Sequence, residues 1–171
     1  MNHEYKYLLP GSFSAESKVW VYQANRVLTL SEALEAEELI SNFCEEWRSH
    51  GAEVQAYGNI FFGQFLILMA DETRAGVSGC STDSSVRFVK ELEKKFQIDF
   101  FNRTNLAFII KDKIQLLPLN QLSYAYENNF IAPDTLYFNN TVLNKAQLEN
   151  NWIIPLKDSW LAKRLNLPIA S

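Results

Sequence analysis

Three clusters in this chain carry side chains suited to chemistry. The first is Gly76 to Ser85 (GVSGCSTDSS), the densest run of small polar residues in the sequence. It lies between a strongly apolar run and an amphipathic segment, so it reads as a loop entering a helix. Unpaired N–H groups at a helix start attract anions. Gly76 and Gly79 let the backbone approach a ligand closely, and four serines and Thr82 supply hydroxyls. This composition suits a phosphate or carboxylate held around Ser78, Gly79, Ser81 and Thr82. Asp83 opposes an anion, serves as an N-cap, and has Arg87 as an i,i+4 partner. The same residues also describe an ordinary capped helix entry, because such polar clusters build turns.

Cys80, inside that run, is the second feature. A thiol near a helix N-terminus has its pKa lowered, and a nucleophilic cysteine needs a base, usually His. The chain has only His3 and His50. In the topology argued below, His50 and Cys80 fall on one sheet edge, with Asp71, Glu72 and Asp83 nearby to orient the imidazole. The chemistry would be a cysteine nucleophile or redox thiol, with Cys80, His50 and Asp83 as the catalytic set. A histidine ending a helix also serves simply as a favourable partner of the helix dipole. The third cluster pairs Asn25-Arg26 with Asn102-Arg103-Thr104-Asn105 on the opposite edge. Arg26 and Arg103 there suit an anionic ligand, or close strand ends by binding loop carbonyls.

These residues need elements to hold them. Lys18 to Ala24 (KVWVYQA) is β-branched and aromatic, hence a first strand. Thr29 and Glu32 have capping-box spacing. Ala36, Leu39, Ile40, Phe43, Cys44 and Trp47 then recur at helical spacing, giving a helix from Ser31 to His50 that ends at Gly51. Glu53 to Tyr57 reads as a second strand, Gly58-Asn59 as a turn, and Phe61 to Ala70 as a third strand buried on both faces. A second helix covers Asp83 to Phe96. Leu106 to Ile110 and Ile114 to Leu117 are two further strands joined by Lys111-Asp112-Lys113. The order β-α-β-β-α-β is the split βαβ arrangement of ferredoxin-like folds, with one hairpin strand added. The class is α+β on a mainly antiparallel sheet.

The remaining residues differ in texture. Glu127–Pro133 (ENNFIAP) recurs as Glu149–Pro155 (ENNWIIP). Each copy reads as a short helix ending in Asn, which tolerates a left-handed cap, followed by an extended segment with Pro. Tyr124, Tyr126, Phe130, Tyr137, Phe138, Trp152 and Trp160 are large anchors. They pin a C-terminal helical and extended wrap to the sheet, or form a partner surface. The chain is thus expected to be one domain, with a core over about 15–117 and an extension over about 118–171.

VWVYQANR (Val19 to Arg26), WRSHG (Trp47 to Gly51), ADETRAGVSGCSTDSSV (Ala70 to Val86) and NNWIIPLKDSW (Asn150 to Trp160) together resemble a family of small bacterial proteins. Nearly the whole chain takes part. Members commonly carry the name "ABC transporter ATPase", and the resemblance brings no catalytic residues with it. ATP hydrolysis by that class needs G-x-x-x-x-G-K-[ST]. This chain has no Gly-Lys pair. Val77-Ser78-Gly79-Cys80-Ser81 resembles the transporter signature LSGGQ, and Leu68-Met69-Ala70-Asp71-Glu72 imitates the Asp-Glu part of an apolar strand ending in Asp-Glu.

Composition narrows the function. Twenty acidic against 16 basic side chains leave a net charge of −4, which argues against nucleic acid. The apolar runs are far short of the roughly 20 residues that span a bilayer. The first residues lack a signal-peptide pattern. Cys44 in a helical stripe and Cys80 in a loop make no disulfide framework, so the expected compartment is the reducing cytosol. There is no Cys-x-x-Cys or His-x-x-x-His, and no metal or other cofactor is expected. The leading expectation is a non-catalytic module for a small anionic ligand or a protein partner, at Gly76–Ser85. The alternatives are a Cys80–His50 enzyme and an assembly protein working through its aromatic C-terminal region, a second copy of the chain being one candidate partner.

Overall fold

The computed structural model describes residues 1–49, 55–72 and 80–168; of residues 48, 49 and 80–83 only the backbone is described. The protein is α+β and its strands are antiparallel throughout. It divides into two compact units. The N-terminal unit comprises His3–Asn102 and Val142–Glu149, the C-terminal unit Met1–Asn2, Arg103–Thr141 and Asn150–Ser171. This division does not coincide with a core ending near residue 117, because the strands on either side of that point share one sheet.

In the N-terminal unit, β1 (Lys18–Gln23), α1 (Leu30–Ser49), β2 (Gln55–Phe61), β3 (Phe65–Asp71) and α2 (Cys80–Phe96) follow in order. The sheet order is β1-β3-β2. All seven residues of β3 are buried, as its unbroken apolar sequence predicts for a central strand. Leu66, Leu68 and Ala70 of β3 share a core with Ala36, Ile40, Cys44 and Trp47 of α1 and Val89, Leu92 and Phe96 of α2. The expected capping box forms: the Glu32 amide donates to Thr29 Oγ1 at 3.2 Å, and the Thr29 amide to Glu32 Oε1 at 2.9 Å.

Gly58-Asn59 is no turn. Both residues lie within β2, opposite Leu68 and Ile67. The turn falls at Phe62 and Gly63, both left-handed at φ 55° and 66°. Gly58 is needed for packing, since a Cβ there would lie 2.6 Å from Ile40 Cγ2 and 2.8 Å from Leu68 Cδ2. A helix can approach this strand only where the strand has no side chain.

Three strands thus have the split βαβ order, but the fourth does not complete a ferredoxin-like sheet. The outer edge of β1 is occupied by the segment Leu143–Lys145. The Val19 amide donates to the Leu143 carbonyl at 3.0 Å, the Lys145 amide to the Ser17 carbonyl at 2.9 Å, and Lys18 bridges Asn144. The strand after α2, β4 (Asn105–Ile110), belongs instead to a four-stranded sheet of the C-terminal unit. Its companions are β5 (Lys113–Pro118), β6 (Leu136–Phe138) and β7 (Ile153–Pro155), in the order β5-β4-β6-β7.

That unit has its own core. Leu106 and Phe108 of β4 meet Leu122 and Ala125 of α3 (Leu122–Glu127), together with Tyr137, Leu156 and Leu161. The two ENN segments diverge in structure. After α3, Asn129 takes φ 61° and the Phe130 amide donates to the Ala125 carbonyl, closing the helix with a left-handed cap. Phe130 is left 63% exposed. In the second copy α4 (Lys145–Asn151) ends without such a cap, and the equivalent Trp152 is fully buried, its ring T-shaped against Phe138. The two proline segments run side by side, with Leu156 N–H on the Thr135 carbonyl and Lys157 ion-paired with Asp134 at 2.7 Å. Among the described residues no helix is long and apolar enough to cross a membrane.

Candidate functional site

A groove of about 470 Å³ runs between α1 and α2 of the N-terminal unit. It arises where two amphipathic helices pack on one sheet face and their flanking positions, at i, i+3, i+4 and i+7, turn toward each other. From α1 come Leu39, Asn42, Phe43, Glu46 and Trp47; from α2 come Ser84, Arg87, Phe88 and Glu91. The aromatic wall is continuous. Phe43 and Phe88 stack face to face at 4.3 Å and 1°, Trp47 lies 5.1 Å from Phe43, and Trp20 lies 5.5 Å from Trp47. Trp47 is buried, and its indole N–H has no hydrogen-bond partner among the described residues, a defect costing roughly 1–3 kcal/mol.

Above this wall the lining is polar. Arg87 is exposed and makes no hydrogen bond or ion pair within the described structure. Glu46 and Glu91 supply carboxylates, Asn42 and Ser84 neutral hydrogen-bonding groups. Together these groups can hold a ligand through charge and hydrogen bonds. Ser84 belongs to the Gly76–Ser85 run, so the expected ligand loop touches the groove at its described end.

The other expected site residues fare differently. His50, Ser78 and Gly79 lie outside the described residues. Helix α2 begins at Cys80, three positions earlier than expected, so Cys80, Ser81, Thr82 and Asp83 form its first turn and Asp83 is not the N-cap. Their side chains lie outside what is described, and with them the Cys80–His50 pair. Arg26 is fully engaged: its guanidinium grips both Glu32 oxygens at 2.9 Å and donates to the Phe96 carbonyl at 2.8 Å, at the end of α2. It closes strand and helix ends, the alternative considered for this cluster. The fork holds the Glu32 carboxyl down at about 2, with help from the Thr29 amide. Arg103 opens the C-terminal unit, exposed and without a hydrogen bond or ion pair in the described structure.

Glu72, at the end of β3, keeps only 7% of its side chain exposed. Lys18 Nζ stands 3.1 Å from its Oε2, while neither oxygen accepts a well-aligned hydrogen bond from the described residues. The two groups attract as charges, because Coulomb attraction does not require linear geometry. Among the described residues no three His, Cys, Asp or Glu gather as a metal site requires.

Sequence reasoning missed the groove and Arg87's place in it. The signal was present as two stripes in which aromatic residues border polar ones at helical spacing, but nothing in either stripe says that it faces the other. Compared with family models, curated proteins and solved structures, the chain matches none.

Proposed function

We propose that this chain is a non-catalytic binding module that holds a small anionic ligand in the groove between α1 and α2. One observation carries the reading: Arg87, whose guanidinium has no partner among the described residues, stands beside a stacked aromatic wall in a groove of ligand size. Arg87 supplies a two-pronged donor for a carboxylate or phosphate, and Ser84 and Asn42 supply further hydrogen bonds. The reading places the protein in the cytoplasm, in keeping with the buried thiol of Cys44. It keeps the resemblance to the small bacterial family but not the ATPase function in that family's name, because the phosphate-binding lysine motif is missing from the sequence.

Tryptophan fluorescence provides the test, since Trp47 lines the groove. Phenyl phosphate should change the emission saturably, inorganic phosphate should bind more weakly, and Arg87→Ala should remove both responses. A saturable response that survives Arg87→Ala defeats the reading. A second reading, Cys80 as nucleophile or redox thiol, draws support from the start of α2 at that residue, where backbone N–H groups favour a thiolate. Iodoacetamide labelling at several pH values tests it; a Cys80 that reacts only as pH approaches about 8.5 is an ordinary thiol.

A further inference from the structure

The cation of the groove does not stand alone on its helix. Among the described lining residues Arg87 contributes a cation and Glu91 a carboxylate. Glu91 follows Arg87 by one helical turn, so the two opposite charges are neighbours on one face of α2. A carboxylate drawn to Arg87 is therefore also brought near Glu91, which repels it.

Building on the reading above, we infer that the ligand is a zwitterion with an aromatic body, of the chemical class of an aromatic α-amino acid. Its carboxylate sits on Arg87, its ammonium faces Glu91, and its ring lies along the Phe43–Phe88 wall. Each part has a counterpart among groups that already line one groove. An ammonium one carbon away from the carboxylate turns the repulsion by Glu91 into attraction. Aromatic rings favour offset or edge contact with other rings, which the stacked pair offers at its border. The volume of about 470 Å³ lies in the small-molecule range.

Titration calorimetry on the full chain separates the contributions. The probes are L-phenylalanine, N-acetyl-L-phenylalanine without the ammonium, L-phenylalaninamide without the carboxylate, and L-alanine without the ring. Phenylalanine should bind about tenfold more tightly than the N-acetyl compound and the amide, the usual loss for one charge-assisted contact, and about tenfold more tightly than alanine, which lacks the ring contact. Glu91→Gln should weaken phenylalanine about tenfold while leaving the N-acetyl compound unchanged or tighter. Arg87→Gln should bring phenylalanine down to the level of its amide. Both residues are exposed, so neither change should disturb folding, and circular dichroism checks this for each variant. If N-acetylphenylalanine binds as tightly as phenylalanine and Arg87→Gln abolishes both, the zwitterion falls and the anion site stands. Phenylalanine binding unchanged in both variants overturns the groove itself as the site. If none of the four binds and phenyl phosphate also fails, both readings fall together.

Discussion

Gly58 sets how closely α1 can lie on β2. Replacing it by Ala has two opposed effects. Reduced freedom of the unfolded chain stabilises by about 0.4–1 kcal/mol, while overpacking a filled core costs about 1–3 kcal/mol. The clash wins here, because both atoms that the new methyl would meet belong to fully buried side chains, Ile40 and Leu68. Gly58→Ala should lower the denaturant midpoint without changing the slope. Glu32 makes a different residue-scale prediction. Its folded pKa is depressed to about 2 from an ordinary 4.5, so its stabilising effect is complete above 4.5 and is lost as pH falls toward 2. The melting-temperature difference between wild type and Glu32→Gln should therefore be constant near neutral pH and shrink across that window. A difference that persists at pH 2 removes the Arg26–Glu32 ion pair as its cause. Lys18 answers a nearly buried carboxylate. Lys18→Met should destabilise by about 1–3 kcal/mol by leaving Glu72 with no countercharge among the described residues, which chemical denaturation measures.

The hairpins show what can be read locally. Strands β4 and β5 join through Lys111 and Asp112, at φ 51° and 60°, a geometry that favours Asn and Gly. Lys111→Asn should stabilise by about 0.5–1 kcal/mol, visible as a higher melting temperature, because Asn accepts the left-handed region at lower cost. This turn was legible from its residues, and so were the capping box, the face of α1 and the buried character of β3. Each depends on neighbours in sequence. The β2–β3 turn was misread because Gly58-Asn59 is a better turn dipeptide than Phe62-Gly63 by composition. The glycine at 58 answers instead to Ile40, a residue on another element. The partner of β4 was equally hidden: Leu106 to Ile110 announces a strand, but its neighbour β6 begins at Leu136, beyond a second strand and a helix. The groove follows the same rule. Its Arg87 and Phe43 are ordinary members of separate helices until the sheet sets those helices side by side.

At the scale of the whole molecule, each compact unit is assembled from distant stretches of chain. The N-terminal unit takes Val142–Glu149 to cover the β1 edge. That segment also receives the Tyr5 hydroxyl on the Leu148 carbonyl, while Lys145 Nζ donates to the Phe13 carbonyl at 3.0 Å. Burial beside Glu149 raises the Tyr5 hydroxyl to about 12, so it stays a donor across the physiological range. A fragment of residues 3–102 should accordingly melt less cooperatively than the intact chain. A peptide of residues 140–151 added in trans should raise its midpoint. A fragment that melts sharply and ignores the peptide contradicts this dependence.

The borrowed edge segment also has a consequence for biosynthesis. A nascent chain that has emerged as far as Asn102 holds the three strands and two helices of the first unit, yet β1 still shows bare N–H and C=O groups along one side. Its cover, Leu143–Lys145, is not yet translated. At about 5–20 residues per second, the intervening synthesis takes roughly 2–9 s. Over that interval the exposed strand is open to pairing with other chains, including those emerging from neighbouring ribosomes. Codon choice and chaperone supply between residues 103 and 149 should therefore affect the soluble yield of this protein more than the same changes further upstream.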